Sequence, residues 1–219
     1  GPFAVYVGRI DENKGCKELF EFFLGYVKSP QARLSLVLIG NTLLDVPAHP
    51  RIRHLGFLDD TDKFDAMAAS DLLVMPSYYE SLSMVALEAW ALGKPVLANG
   101  RCDVLKGQCI RSNAGLFYES FAEFIETLSA IEKHKWLSVS LGRNGRQFFR
   151  DNYDWSVIER KYVDMFHRLQ REPAPAVTEA QPGWRDRRRP DVPPAREILA
   201  RLPTGPAPLG AVQPARRPA

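Results

Sequence analysis

Two glutamates, Glu80 and Glu88, stand within the stretch ESLSMVALEAWALGKPVLAN (80–99), and Glu88 is the only charge between Glu80 and Lys94. A carboxylate on an otherwise apolar helix is costly unless a cation or hydrogen-bond donors meet it. If Ser83 caps that helix, Glu80 lies in the loop before it and Glu88 in its second turn. The two then differ in height by at most about 12 Å, at 1.5 Å per residue. A diphosphate carrying a ribose at one end and a hexose at the other has a comparable span. The free amides from Ser83 through Met84 and Val85 to Ala86 favour an anion between the carboxylates. Glu88 would accept hydrogen bonds from ribose hydroxyls, and Glu80 would face the sugar; taken alone, Glu88 could equally pair with Lys94. In GRIDENKG (8–15), Gly8 lets the chain turn, Arg9 offers a planar fork and Lys14 opens the next helix, so both cations can reach one phosphate group. This run is not the G-x-G-x-x-G of a nicotinamide-binding unit, which sets a dehydrogenase aside.

These residues need a frame that brings them to one place. FAVYVGR (3–9), LSLVLIG (34–40), DLLVMPS (71–77), PVLAN (95–99) and GLFY (115–118) read as strands, with RIRHLGF (51–57) a weaker one. Between them, helical spacing marks 14–28, 62–70 and 83–93, and further helices follow near 120–134, 136–150 and 155–170. Several strands are apolar throughout and alternate with helices, which predicts an α/β fold with a parallel sheet covered on both faces. Ligands of such sheets bind beyond the carboxyl ends of the strands. Gly8-Arg9, Gly40-Asn41 and Ser77 to Glu80 all fall there.

In this order, G-R-x4-K-G, an apolar strand ending in Gly, H-L-G-F-L, A-A-S-D-L-L-V-M-P-S, E-x7-E and E-A-x-A-x-G-K-P-V, the sequence resembles the C-terminal, donor-binding half of a family 4 retaining glycosyltransferase of group 1, with the GT-B fold. The resemblance covers about residues 3–170. It implies a Rossmann-like domain, one half of a GT-B enzyme, in which Arg9 and Lys14 hold the donor's diphosphate. It places Glu80 beside the transferred sugar and Glu88 on the nucleoside ribose. His54 to Leu58, with Phe57 and Leu58 foremost, match the segment whose backbone meets the base, and Gly40-Asn41 the glycine turn beside it. The family transfers a hexose with retention, the leaving diphosphate helping to take the acceptor's proton, and needs no metal or other cofactor. The partners implied are a nucleotide-sugar donor, a glycan or lipid-linked acceptor, and the N-terminal GT-B domain, absent from this chain. Polysaccharide biosynthesis in the cytoplasm, or at the inner membrane face, is the setting that fits.

Two positions depart from the family pattern. Glycines usually follow the first glutamate, whereas here the run is Glu80-Ser81-Leu82-Ser83; serine keeps the amide but adds a Cβ, predicting a narrower φ range and a reshaped sugar pocket. The loop after PVLAN usually carries glycines and a glutamate, whereas here it reads GRCDVLKGQCIRSNAG. Asp103, Lys106 and Gln108 lie where sugar or acceptor groups could be read, with no role assigned. These departures keep open a non-catalytic nucleotide-sugar module, and the shared architecture also admits a nucleotide-sugar epimerase.

The remaining signals read as structural. His49 and His54 have no third ligand in view and read as loop and strand residues. Trp155, Val157, Ile158, Tyr162 and Phe166 form a stripe that reads as packing. Cys16, Cys102 and Cys109 form no CxxC pair, so no zinc site or disulfide framework is expected and a reducing compartment fits. Of 219 residues, 45% are hydrophobic, enough for one ordinary core, and no stretch approaches the roughly 20 apolar residues of a membrane span. The core domain is expected over residues 1–172, and 173–219 as a disordered Pro/Arg/Ala-rich tail holding 11 of the 17 prolines. Within it RDRRRP (185–190) reads as solvated, with peripheral membrane contact an option and nucleic acid not expected. The opening GPFAVYVGRI, without an initiator Met, reads as a piece of a longer protein, inactive alone.

Overall fold

Both faces of β1 (Phe3–Val7) are covered, which is why it reads as an unbroken apolar run. Successive side chains of a strand point to opposite faces. Ala4 and Tyr6 belong to one buried cluster, and Val5 and Val7 to the other. The structure, a computed structural model, describes residues 1–172, 193 and 195–201. After β1 come α1 (Cys16–Tyr26), β2 (Ser35–Ile39), β3 (Ile52–His54), α2 (Asp60–Ala69), β4 (Leu72–Met75), α3 (Met84–Ala91) and β5 (Val96–Asn99). Then follow α4 (Asp103–Ser112), β6 (Gly115–Tyr118), α5 (Phe121–Lys133), α6 (Lys135–Asn152), α7 (Trp155–Arg171) and α8 (Ala195–Ala200).

The six strands form one parallel sheet in the order β3-β2-β1-β4-β5-β6. The chain builds outward from β1 in one direction and then, from β4, in the other. The order therefore reverses between β1 and β4, and a crevice opens there at the strands' carboxyl ends. On one face Leu19 and Phe23 of α1 and Phe124 and Leu128 of α5 fill the core; on the other, Leu87 and Trp90 of α3 and Leu105 of α4 do. Helix α6 seals the outer side of α3 through small residues. A Cβ at Gly142 would lie 2.0 Å from the Gly93 oxygen, and one at Gly145 would lie 2.4 Å from the Trp90 ring. The Trp90 indole, otherwise buried, donates to the Ala114 oxygen at 3.0 Å.

The sheet and its helices agree with the sequence reading, with three differences. The segment after β5, read as a loop, is the helix α4. Its buried face is Leu105, Gln108, Cys109 and Ser112, and a face half made of polar side chains leaves no apolar period to detect. The stripe on α7 is covered only in part among the described residues: Val157 and Ile158 are half-buried, but α7 fully buries no residue, with Trp155 73% exposed and Tyr162 58% exposed. Third, Ala195–Ala200 is a short helix within the expected tail, as the helix formers of AREILA favour; the rest of the expectation for 173–219 lies outside the described residues. The chain divides into a unit over Gly1–His167 and a second over Arg168–Ala219.

Candidate active site

The ends of β1 and β2 approach each other more closely than side chains allow. Gly8 N–H donates to the Ile39 oxygen at 2.9 Å, and a Cβ at Gly40, whose φ is +132°, would lie 2.1 Å from the Gly8 oxygen. Only glycine fits that turn. The Gly40 carbonyl accepts from His54 Nε2 at 2.8 Å, so His54 braces the turn. The result is an open cavity of about 260 Å³ lined by Arg9, Gly40, Asn41, Phe57, Leu58 and Lys63. Its walls are mostly backbone and apolar surface, with two cations at the edge, which suits a flat heterocycle bearing phosphates.

Between β1 and α1, Asp11 organises the cations. It is 6% exposed; one carboxylate oxygen accepts from Arg9 Nε, and the other accepts from the Lys14 amide at 2.7 Å. Burial opposes its charge, yet these hydrogen bonds, with the Arg9 and Lys14 charges, hold its carboxyl below the usual carboxylate range. The 11–16 turn is pressed against the end of β4, where a Cβ on Gly15 would lie 2.1 Å from the Pro76 oxygen. That contact puts Lys14 beside the Ser77 to Glu80 loop, and Lys14 Nζ meets Glu80 Oε1 at 2.7 Å. Arg9 remains largely exposed, 60% at its side chain, free to turn toward an anion.

Glu88 occupies the second turn of α3 and does not pair with Lys94, whose ammonium donates to the Ser70 oxygen at 2.7 Å. Its Oε1 faces Lys63 Nζ at 3.4 Å, while its Oε2 is buried and has no partner among the described residues. Lys63, only 17% exposed, also donates to Asp60 at 2.9 Å. Burial works against its charge, but Asp60 and Glu88 hold the ammonium above its usual range. A half-buried carboxylate with one oxygen buried and unpaired carries a desolvation cost that a donor such as a ribose hydroxyl would remove.

Ser83 is the N-cap of α3, at φ 62°, and its hydroxyl accepts from the Ala86 amide at 3.4 Å. The serine therefore takes the left-handed conformation expected of a glycine. Among the described residues no acceptor meets the amides of Ser83, Met84 or Val85, so they are open to an anion. The predicted residues thus fall into two linked groups. Arg9, Gly40, Asn41, Phe57 and Leu58 share the cavity, and Glu88 joins it through Lys63. Lys14 and Glu80 form a pair tied to Arg9 by Asp11, beside the start of α3.

Sequence reasoning missed Lys63 and Asp11. Both act through tertiary partners, and nothing in DDTDKFDA or RIDENKG sets either apart. Of the undecided residues, Lys106 pairs with Glu119 at 2.6 Å and Gln108 is buried. All three cysteines are free and buried, and burial pushes the Cys109 thiol up to about 12, which makes it inert. Among the described residues no group of three or more His, Cys, Asp or Glu could hold a metal ion, and no helix is long and apolar enough to cross a membrane.

Comparison with known proteins fits this geometry. Residues 1–133 match the family Glycosyl transferases group 1. The chain is similar to a phosphatidyl-myo-inositol mannosyltransferase of Propionibacterium freudenreichii, 30% identical over 171 residues, covering 75% of this chain and 43% of the relative. It is also similar to the mannosylfructose-phosphate synthase of Agrobacterium fabrum, 26% identical, covering 74% and 40%. The chain thus spans less than half the length of these curated relatives. Among solved structures, the sucrose-phosphate synthase of Thermosynechococcus elongatus superposes with a TM-score of 0.63 at 24% identity, covering 78% of this chain and 46% of that one. The C-terminal domain of a group 1 glycosyl transferase from Francisella tularensis superposes with a TM-score of 0.57 at 20% identity, covering 70% of this chain and 87% of that domain. This chain belongs to the glycosyl transferases group 1 family, and its sheet and helices are a Rossmann-like domain of a GT-B glycosyltransferase.

Proposed function

We propose that the chain is the nucleotide-sugar-binding half of a retaining glycosyltransferase that moves a hexose from a nucleoside diphosphate sugar to a glycan or lipid-linked acceptor. The observation that carries this reading is the buried Oε2 of Glu88, without a partner among the described residues and close to a cavity edged by Arg9 and Lys63. A nucleobase enters the cavity against Phe57 and Leu58, and the ribose hydroxyls donate to Glu88. The diphosphate meets the free amides of α3, and Arg9 and Lys14 turn to it from Asp11 and Glu80. Charge on the diphosphate is thus neutralised by side chains and amides, with no metal ion taking part. Once Lys14 leaves it, Glu80 is free to accept from hydroxyls of the hexose. Departure of the diphosphate leaves its oxygen to help take the acceptor's proton on the face where the new bond forms, which gives retention. The acceptor surface and the rest of the catalytic cleft belong to the other GT-B half, so the chain alone binds donor and transfers little.

The test is calorimetric titration with GDP-, UDP- and ADP-sugars, repeated on Glu88→Ala and Arg9→Ala. One nucleotide class should bind, at least ~10-fold more weakly to either variant, as loss of a hydrogen bond to a charged group implies. Binding that neither substitution alters would sink the proposal.

A further inference from the structure

Gln108 sits on α4 with 1% of its surface exposed. Its Nε2 donates to the Leu82 oxygen at 2.7 Å, while its Oε1 is buried with no partner among the described residues. Because a carbonyl only accepts, the Leu82 oxygen fixes which end of the amide faces it. A core position that needed only volume would be filled more favourably by a methionine or leucine, which leaves no oxygen stranded. The amide therefore answers to its one contact.

That contact controls the loop between the two glutamates. In a trans peptide the C=O and the following N–H point in opposite directions. Drawing the Leu82 oxygen inward to Gln108 turns the Ser83 N–H away from the α4 core. Ser83 itself is held at φ 62°, a conformation an L-residue leaves when nothing retains it. Its own cap bond, 3.4 Å from Oγ to the Ala86 amide, is too long to retain it unaided.

We propose that Gln108 is a positioning residue for donor binding: by clamping the Leu82 carbonyl it holds Ser83 in the left-handed conformation and aims the Ser83 amide at the donor's phosphates. A buried side chain on a neighbouring helix thereby supplies, for serine, the backbone geometry that glycine adopts without help. This inference rests on the donor-site reading given above.

The test is titration of the chain with GDP, UDP and ADP and with the corresponding nucleosides, for the wild type and Gln108→Met. The diphosphate that binds should bind the variant about tenfold more weakly, one charge-assisted hydrogen bond being lost, while its nucleoside binds both proteins alike. A general loosening of the fold would lower both affinities together, and that result, or an unchanged diphosphate affinity, overturns the proposal. If Gln108→Met does not fold, Gln108→Asn, one methylene short of the carbonyl, carries the same comparison. If the wild type binds no diphosphate, it is the donor-site reading that has failed. A crystal structure of the variant then decides the clamp separately: Ser83 leaves the left-handed region if Gln108 holds it, and stays there if it does not.

Discussion

The two oxygens of the Glu88 carboxylate meet different fates: one faces Lys63, and the other is buried without a partner among the described residues. An arrangement that served stability alone would satisfy both or dispense with the charge. Glu88→Ala is therefore expected to weaken donor binding at least ~10-fold while moving folding stability by less than about 1 kcal/mol, the lost pair being offset by removal of the orphan oxygen. Calorimetry and thermal melts on the same preparation check both halves. Asp11 behaves in the opposite sense, because it is fully engaged. Its folded pKa lies below the ordinary 3.8, so its stabilising contribution is complete above that value and is lost as pH falls through the lower, folded one. Melting temperature should accordingly fall as pH drops below about 4, and less steeply in Asp11→Asn than in the wild type. Arg9 and Glu88 stand out in the sequence because each interrupts a pattern, a charge at a strand end and a charge on an apolar helix, whereas Lys14 and Glu80 are singled out by their spacing from these two. Lys63 and Asp11 look like ordinary surface charges until the fold puts Glu88 beside one and Arg9 beside the other.

At the scale of elements, α3 and α4 carry what the sequence showed least clearly. Serine at a glycine position forecast a restricted φ, and the structure answers with φ 62° at Ser83, the strained conformation retained rather than avoided. Left-handed backbone costs an L-residue about 1–2 kcal/mol. Glycine there would lose a few tenths from a weaker cap and up to about 1 kcal/mol through its freer unfolded chain. Relief of strain is the larger effect, so Ser83→Gly should stabilise the chain by about 0.5 kcal/mol, read as a small rise in the chemical-denaturation midpoint. Helix α4 was hidden because Gln108 and Ser112 stand where a periodic helix would show apolar residues. Helix α6 was visible by its spacing, but the reason for its glycines was not. With only 2.0 Å between a Cβ at Gly142 and the Gly93 oxygen, Gly142→Ala should cost about 2–3 kcal/mol in a urea melt, since backbone, not a side-chain tip, must give way.

Across the whole molecule, the parallel sheet covered on both faces follows from the sequence almost directly, because fully apolar strands alternating with helices admit few alternatives, whereas the strand order is read only from the structure. The fate of α7 does not follow from it. Trp155, Tyr162, Val163 and Phe166 have the spacing of a buried face and are exposed, because periodicity records that a face is apolar and not which surface covers it. Charged substitutions there, such as Tyr162→Glu with Phe166→Glu, should leave the stability of this chain unchanged within about 0.5 kcal/mol. A comparable loss to that of a core substitution would show instead that the face is covered within the chain. The proposed nucleoside diphosphate donor would draw together the cavity at the sheet's carboxyl edge, the open amides of α3 and the Glu88 oxygen that has no partner among the described residues, with the ribose as the link between base and phosphates. The most direct measurement is the affinity of the cognate nucleoside diphosphate against its 2′- and 3′-deoxy analogues, in the wild type and in Glu88→Ala. At least one deoxy analogue should bind the wild type about tenfold more weakly and bind Glu88→Ala no differently from the parent nucleotide. Equal discrimination against the deoxy analogues by both proteins would contradict the assignment of Glu88 to the ribose, and with it the placement of the donor.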